Sequence, residues 1–336
     1  MLIISCSGTH KISEAVNQKT TAKPEHYVFF GLDREEIRKS SFYNLKEFSG
    51  AQIAYTWKSL EIEKDLYDFS AIEKDIVFLA NKGKKLFIQI MDTSFNVKHI
   101  FVPDYICKEP QYNGGVNLQY TFDDDMDTNP KEAGWTARRW DTAVANRFHK
   151  LIGELGKQFD GKIGGINFQE TSVDFGSTGT WHPSGFTPEN YLEAVKSTMY
   201  AARSAFNQST VIQYANFMPG EWLPLHDKGY LAAVFEYAAH IGIGIGGPDI
   251  IPYRLGQMNH GYYFARQYQG KLVFGFAVQE GNYDQINMKT NAPLTVEEIY
   301  DFAKHYLCAD YIFWHPQEPY FTKELKPLLR KTPHKI

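Results

Sequence analysis

The chain reads as an α/β protein built as one (β/α)8 TIM barrel, and three observations lead there. From about His26 onward eight short apolar runs alternate with helical patterns, the signature of repeated βα units around a parallel sheet. Most of the eight runs carry a polar or aromatic residue at or just past their end, the position from which barrels of this kind build their sites. No low-complexity linker divides the chain after residue 25. Residues 26–336 therefore form one domain, with residues 1–25 set apart as a signal remnant or tether. At 336 residues, 43% hydrophobic and 22% charged, the chain is long enough to fill the core of such a domain.

Taken in order, the first run is HYVFFGLD, ending at Asp33, and the second is GAQIAYTW, ending at Trp57. Between the second and third, Ile72, Ile76, Leu79 and Ala80 share a helical face and Gly83 stands where a terminal glycine ends a helix. The third run, KLFIQIMD, ends at Asp92, and a long connection follows, Thr93 to about Arg139. The fourth, IGGINFQE, ends at Glu170; a second long connection, Thr171 to about Thr187, leads to Thr187-Pro188-Glu189, an N-cap with proline at the first helical position. The fifth and sixth runs are TVIQYANF, ending at Phe217, and AHIGIGIGGPD, ending at Asp249. The seventh, LVFGFAVQ, ends at Gln279 with Glu280 next; then Thr295 to Glu298 offers a capping box, and Val296, Ile299, Ala303, Tyr306 and Leu307 share a face. The eighth is ADYIFWHP, ending at Pro316. Both long connections follow strands, so they lie over the carboxyl-end face and favour an extended cleft over a closed pocket.

Charge and composition narrow the partners. The net charge is -4 and Lys and Arg are scattered, so there is no footprint for nucleic acid or an anionic membrane surface. Aromatic residues make up 15% of the chain, and rings at a site mouth suit sugar faces, although core packing accounts for most of them. Cys6, Cys107 and Cys308 show no metal-ligand spacing, and the 11 histidines show no paired metal pattern within a strand or helical turn. No metal and no cofactor is expected. The acidic run Asp123-Asp124-Asp125 with Asp127 reads as a solvated loop rather than a calcium site, since its spacing departs from a helix-loop-helix calcium loop. The segment Gly242 to Gly247 lacks the Lys and Ser/Thr of a phosphate loop and reads as close backbone packing. At the N-terminus, Leu2-Ile3-Ile4-Ser5-Cys6 and the polar tract Ser7 to Lys23 have two readings. One is the end of a bacterial lipoprotein signal, with membrane anchoring through a lipidated Cys6 and an exported, periplasmic or outer-surface location. The other is a frayed terminus.

Two of the strand-end residues are glutamates on runs that face each other across a barrel of eight: Glu170 on the fourth and Glu280 on the seventh. Paired carboxyls suit glycosidic bond cleavage, with a separation of ~5 Å for retention and ~6.5 to 9.5 Å for inversion. Asp33, Asp92 and Asp249 each serve equally well to cap the following helix or to touch a ligand.

The segment Tyr55-Thr56-Trp57-Lys58-Ser59-Leu60-Glu61, its continuation Tyr67-Asp68-Phe69-Ser70, the two glutamates and Trp314 together resemble the large glycoside hydrolase clan of (β/α)8 barrels. In that clan, which includes cellulase-like and β-galactosidase-like enzymes, the acid/base Glu ends strand four and the nucleophile Glu ends strand seven. The resemblance covers about Tyr27 to Tyr320 and implies a retaining hydrolase of poly- or oligosaccharides, with Glu170 as acid/base and Glu280 as nucleophile. Candidates for sugar stacking are Trp57, Trp181, Trp222 and Trp314, of which Trp57 and Trp314 serve equally well to fill the barrel mouth; Asp92, His182 and Asn282 are candidates to hydrogen-bond the sugar, and Tyr214, Asn216, Tyr253 and Arg254 to donate to Glu280. The clan usually has Asn before the acid/base; here Gln169 stands there, either offering the same amide to a sugar hydroxyl from a longer arm or marking a different substrate geometry. By strand alternation Gln169 shares a face with Asn167. One rival reading is a carbohydrate-binding barrel that has lost turnover. Another, a barrel enzyme of aldolase or isomerase type, lacks a lysine at a strand centre, since Lys271 and Lys289 lie outside the runs.

Overall fold

A computed structural model describes residues 23–331; Cys6 and all but the last residue of the polar tract lie outside the described residues. Eight parallel strands close into a barrel in sequence order: β1 Glu25–Phe29, β2 Phe48–Thr56, β3 Lys85–Met91, β4 Gly165–Phe168, β5 Thr210–Tyr214, β6 Gly244–Gly247, β7 Phe274–Val278 and β8 Tyr311–Trp314. Each falls within or across one of the eight apolar runs. The helices that follow the strands include α1 Glu36–Lys39, α2 Ser70–Ala80, α3 Thr142–Phe159, α4 Pro188–Ala205, α5 Tyr230–Ile241, α6 Gly261–Gln267, α7 Val296–Asp301 and α8 Lys326–Lys331. The sixth run differs from its expectation, because His240 and Ile241 finish α5. Gly242, at φ 71°, ends that helix, and only the glycine-rich remainder enters the sheet.

Tyr27, Phe87, Ile212, Tyr214, Ala277 and Phe313 meet inside the barrel as one cluster, with the Phe87 and Phe313 rings 4.8 Å apart. The barrel is thus a filled core and not a pore. Gln52 joins that interior by donating from Nε2 to Asn167 Oδ1 at 2.8 Å and to the Tyr214 hydroxyl at 3.2 Å. Strand β6 approaches its neighbour closely: a Cβ on Gly246 would fall 1.8 Å from the Gly275 carbonyl oxygen. The glycine-rich segment is accounted for by that approach.

The motif from Tyr55 to Ser70 anchors the barrel to its helices. The Tyr55 hydroxyl donates to Asp75 at 2.8 Å, and Arg34 and Arg38 both pair with that buried carboxylate. Thr56 caps the turn Trp57–Leu60, and the Trp57 indole donates to Glu61 at 2.9 Å while its ring packs 4.9 Å from Phe148 on α3. Glu61 also takes the Arg147 guanidinium and, at 2.9 Å, the Tyr105 hydroxyl. Trp57 is 0% exposed, as is Trp314, whose indole donates to His26 at 3.0 Å. Of the two readings of these rings, packing holds and sugar stacking is corrected, since a ring with no exposed face has none to offer a ligand.

The two long connections stand together over the carboxyl ends. The first folds into a three-stranded antiparallel sheet of Thr93–Ser94, Val116–Thr121 and Lys131–Ala137. The second is tied to it by Asp127, whose carboxylate accepts from Ser177 N at 2.9 Å, Thr178 N at 2.6 Å and Thr178 Oγ1 at 2.6 Å. Of the other acidic residues in this run, Asp124 accepts from Met126 and Thr128, and Asp123 pairs with Lys131. The carboxylates of Asp123, Asp124 and Asp127 are therefore engaged by the protein's own groups.

Candidate active site

Glu170 lies just past β4 and is partly buried. Asn216, just past β5, donates from Nδ2 to its Oε2 and keeps its own Oδ1 for the Phe217 amide at 2.9 Å. Arg139 holds the Glu170 main chain, donating from Nη1 to the carbonyl at 3.2 Å. That guanidinium is fixed in turn by a fork on Asp92, at 2.8 and 2.6 Å, and donates to the Tyr191 hydroxyl of α4 at 2.7 Å. Burial pushes the Glu170 carboxyl up to about 7; the Asn216 amide and Arg139 oppose the rise and the Asp249 charge adds to it. A carboxyl poised there can give a proton near neutrality and take one back.

The residue before it does not face the site. Gln169 lies with Ile90, Phe148, Phe168 and Val195 in the layer between barrel and helices. Its Oε1 accepts from the backbone of Asp92 and Thr93 at 2.8 and 2.7 Å, and its Nε2 donates to the Thr93 carbonyl at 2.9 Å. The expected alternation with Asn167 breaks after Phe168, where β4 ends, because this strap pulls the side chain toward β3. With its amide committed on both sides, Gln169 is corrected from a sugar contact to a tie between strand ends. Asp92 is corrected likewise: it is 3% exposed and both its oxygens are taken by Arg139.

The opposite rim holds Asp249, Asn282, Glu280 and His315. Asn282 donates to Asp249 Oδ1 at 2.8 Å and accepts from Ile250 N at 3.2 Å and Gln279 N at 3.0 Å, binding the end of β6 to that of β7. It is 5% exposed and works by holding Asp249. Burial raises the Asp249 carboxyl, with Asn282 and Arg254 opposing. Glu280 is exposed in the turn after β7 and close enough to His315 to act on its charge. None of the four expected donors makes a side-chain hydrogen bond to Glu280 among the described residues. Tyr214 receives Gln52, Asn216 holds Glu170, Tyr253 lies under Lys289 at 3.6 Å and Arg254 acts on Asp249.

Three aromatic candidates keep some surface. Trp222 is 52% exposed, its ring parallel to Phe217 at 5.8 Å and against His260 at 4.8 Å. Trp181 and His182 are partly exposed on the second long connection, Trp181 donating to the Asp127 carbonyl at 3.2 Å and His182 packing on Phe186 at 4.9 Å. Tyr214, at 1% exposure, belongs to the barrel interior.

Arg139 and His315 were missing from the sequence reading. Arg139 sits at the end of a long connection and is read there as loop; only its pairing with Asp92 in space reveals it. His315 follows the inward-facing Tyr311 and Phe313 by alternation on β8, a signal the sequence did contain. Its Nδ1 is buried with no partner among the described residues, as are Asn167 Nδ2 and Gln52 Oε1 inside the barrel.

No family model matches the chain, and no curated protein does. Among solved structures it is similar to the catalytic domain of β-amylase from Paenibacillus polymyxa, at 7% identity and a TM-score of 0.56, over 87% of this chain and 92% of that one. It is also similar to xylanase 10B from Thermotoga petrophila in complex with xylobiose, at 12% identity and a TM-score of 0.50, over 87% of this chain and 82% of that one. At such identities the likeness is one of fold, the closed (β/α)8 barrel.

Proposed function

We propose that the protein is a glycoside hydrolase that cleaves O-glycosidic bonds of a poly- or oligosaccharide by double displacement, with Glu170 as acid/base and Glu280 as nucleophile. The observation that carries the proposal is the Glu170 carboxyl, held at about 7 in a polar mouth at the carboxyl end of the barrel. In the first step Glu170 gives its proton to the leaving oxygen as Glu280 bonds to the anomeric carbon and the glycosidic bond breaks. In the second, Glu170 takes a proton from water, the water oxygen bonds to that carbon, and Glu280 leaves as carboxylate. Support comes also from the exposed Trp222 face, stacked on Phe217 next to the Asn216 that holds Glu170, and from the unpartnered His315 Nδ1, which feels the Glu280 charge.

The test is hydrolysis of a panel of polysaccharides and aryl glycosides by wild type, Glu170→Gln and Glu280→Gln. Each variant is expected to lose about 10³-fold or more in turnover while melting as a folded protein, and azide is expected to restore product formation in Ala or Gly variants at either position. Wild-type rates in either amide variant would refute the assignment of that residue. A second reading, a carbohydrate-binding barrel without turnover, is favoured by one observation: among the described residues no side-chain hydrogen bond reaches Glu280. Retained glycan binding with no cleavage across the panel would establish it.

A further inference from the structure

Asp249 takes part in neither step above, yet its charge reaches Glu170 and it shares a small cavity with the Asn216 that holds Glu170. The glycines of β6 let that strand press against β7, and the chain turns through Pro248 to bring Asp249 to the mouth. Its side chain is anchored on one oxygen only. Asn282 donates to Oδ1 at 2.8 Å, while Oδ2 takes no hydrogen bond among the described residues. Its main chain is fixed as well, since the Tyr262 hydroxyl donates to the Asp249 carbonyl at 3.0 Å. Asp249 and Asn216 line one small cavity together with Gly246 and Tyr262, and Asn216 is the residue that holds Glu170. A carboxylate fixed on one oxygen and open on the other is the arrangement that grips a hydroxyl.

We propose that Asp249 is a third working carboxyl of this site, facing Glu170 across the Asn216 amide and gripping a hydroxyl of the same sugar residue that Glu170 and Glu280 act on. The proposal rests on the carbohydrate reading for its ligand, but the pairing of Asp249 with Glu170 stands apart from it. The charged and titratable groups that meet around the pair are few: Arg139 with its partner Asp92 beside Glu170, Arg254 beside Asp249, and the hydroxyls of Tyr191, Tyr214 and Tyr262. The Asp92 charge is spent on its fork with Arg139, and Asp249 is the carboxylate whose charge raises Glu170.

Two measurements on full-length Asp249→Asn test it. In the first, the Glu170 carboxyl is followed by carbon NMR as pH is changed. Its midpoint is expected to fall by about half a unit or more relative to wild type, and an unmoved midpoint would overturn the pairing whatever the protein binds. In the second, on any glycoside the wild type cleaves, kcat is expected to fall at least about tenfold and the alkaline limb of its pH profile to move to lower pH. A kcat within twofold and an unshifted limb would overturn the role in turnover. Asp249→Ser replaces the amide variant if that does not fold. If the wild type cleaves no glycoside, the hydrolase reading fails while the NMR titration still decides whether Asp249 faces Glu170.

Discussion

At Glu170 burial and hydrogen bonding pull in opposite directions, and burial prevails. The consequence reaches stability. The carboxyl is raised from 4.5 to about 7, so its ionised form is disfavoured in the folded state; that penalty is absent below pH 4.5, grows through the window to 7 and is complete above it. Glu170→Gln should therefore melt a few degrees higher than wild type at pH 8 and nearly level with it at pH 4.5, a difference calorimetry would read directly. An equal gain at both pH values would mean that charge is not the cause. The glutamate itself was legible as a strand-end carboxylate. Its neighbour was not: Gln169 departs from alternation because three hydrogen bonds to the backbone of Asp92 and Thr93 outweigh the pleat, and those partners are about 77 positions away in sequence.

Strand β6 shows what an element demands of its residues. A methyl at Gly246 would meet the Gly275 carbonyl at 1.8 Å, backbone against backbone, with nothing flexible to yield. Gly246→Ala should destabilise by about 3 kcal/mol or more, whereas Gly83→Ala, in open space at φ 66° after α2, should lose only about 1 kcal/mol. Urea unfolding of the two variants separates close approach from conformational freedom; equal losses would refute the close-approach account. Local signals served the helices well. The Thr187 cap with proline behind it and the Thr295 to Glu298 capping box are both in place, because a cap is made among residues three apart. The Asp92–Arg139 fork joins residues 47 apart, and no local pattern announces it.

Over the whole molecule the eightfold alternation was readable because each βα unit repeats the same burial problem, and each run solves it with a strand buried on both faces. Stability at this scale sums many sites, and three histidines set its acid side. His149, His260 and His315 are all lowered by burial. Below their unfolded value, about 6.5, the unfolded chain binds protons that the folded chain refuses, so stability falls as pH drops through that value. Glu170 runs the other way over its window from 4.5 to 7. The urea midpoint is expected to fall between pH 7.5 and 5.5, and to fall further in Glu170→Gln, where the compensating group is gone; a midpoint level across that range in both proteins would refute the sum. The outer face carries one more lesson. Asp127 knots the two long connections through Ser177 and Thr178, and a backbone bond from Tyr120 to Asp174 seconds it at 3.1 Å. Neither insertion is a free-standing graft: exchanging one alone severs the knot, so redesign of this face has to move both as a single cassette.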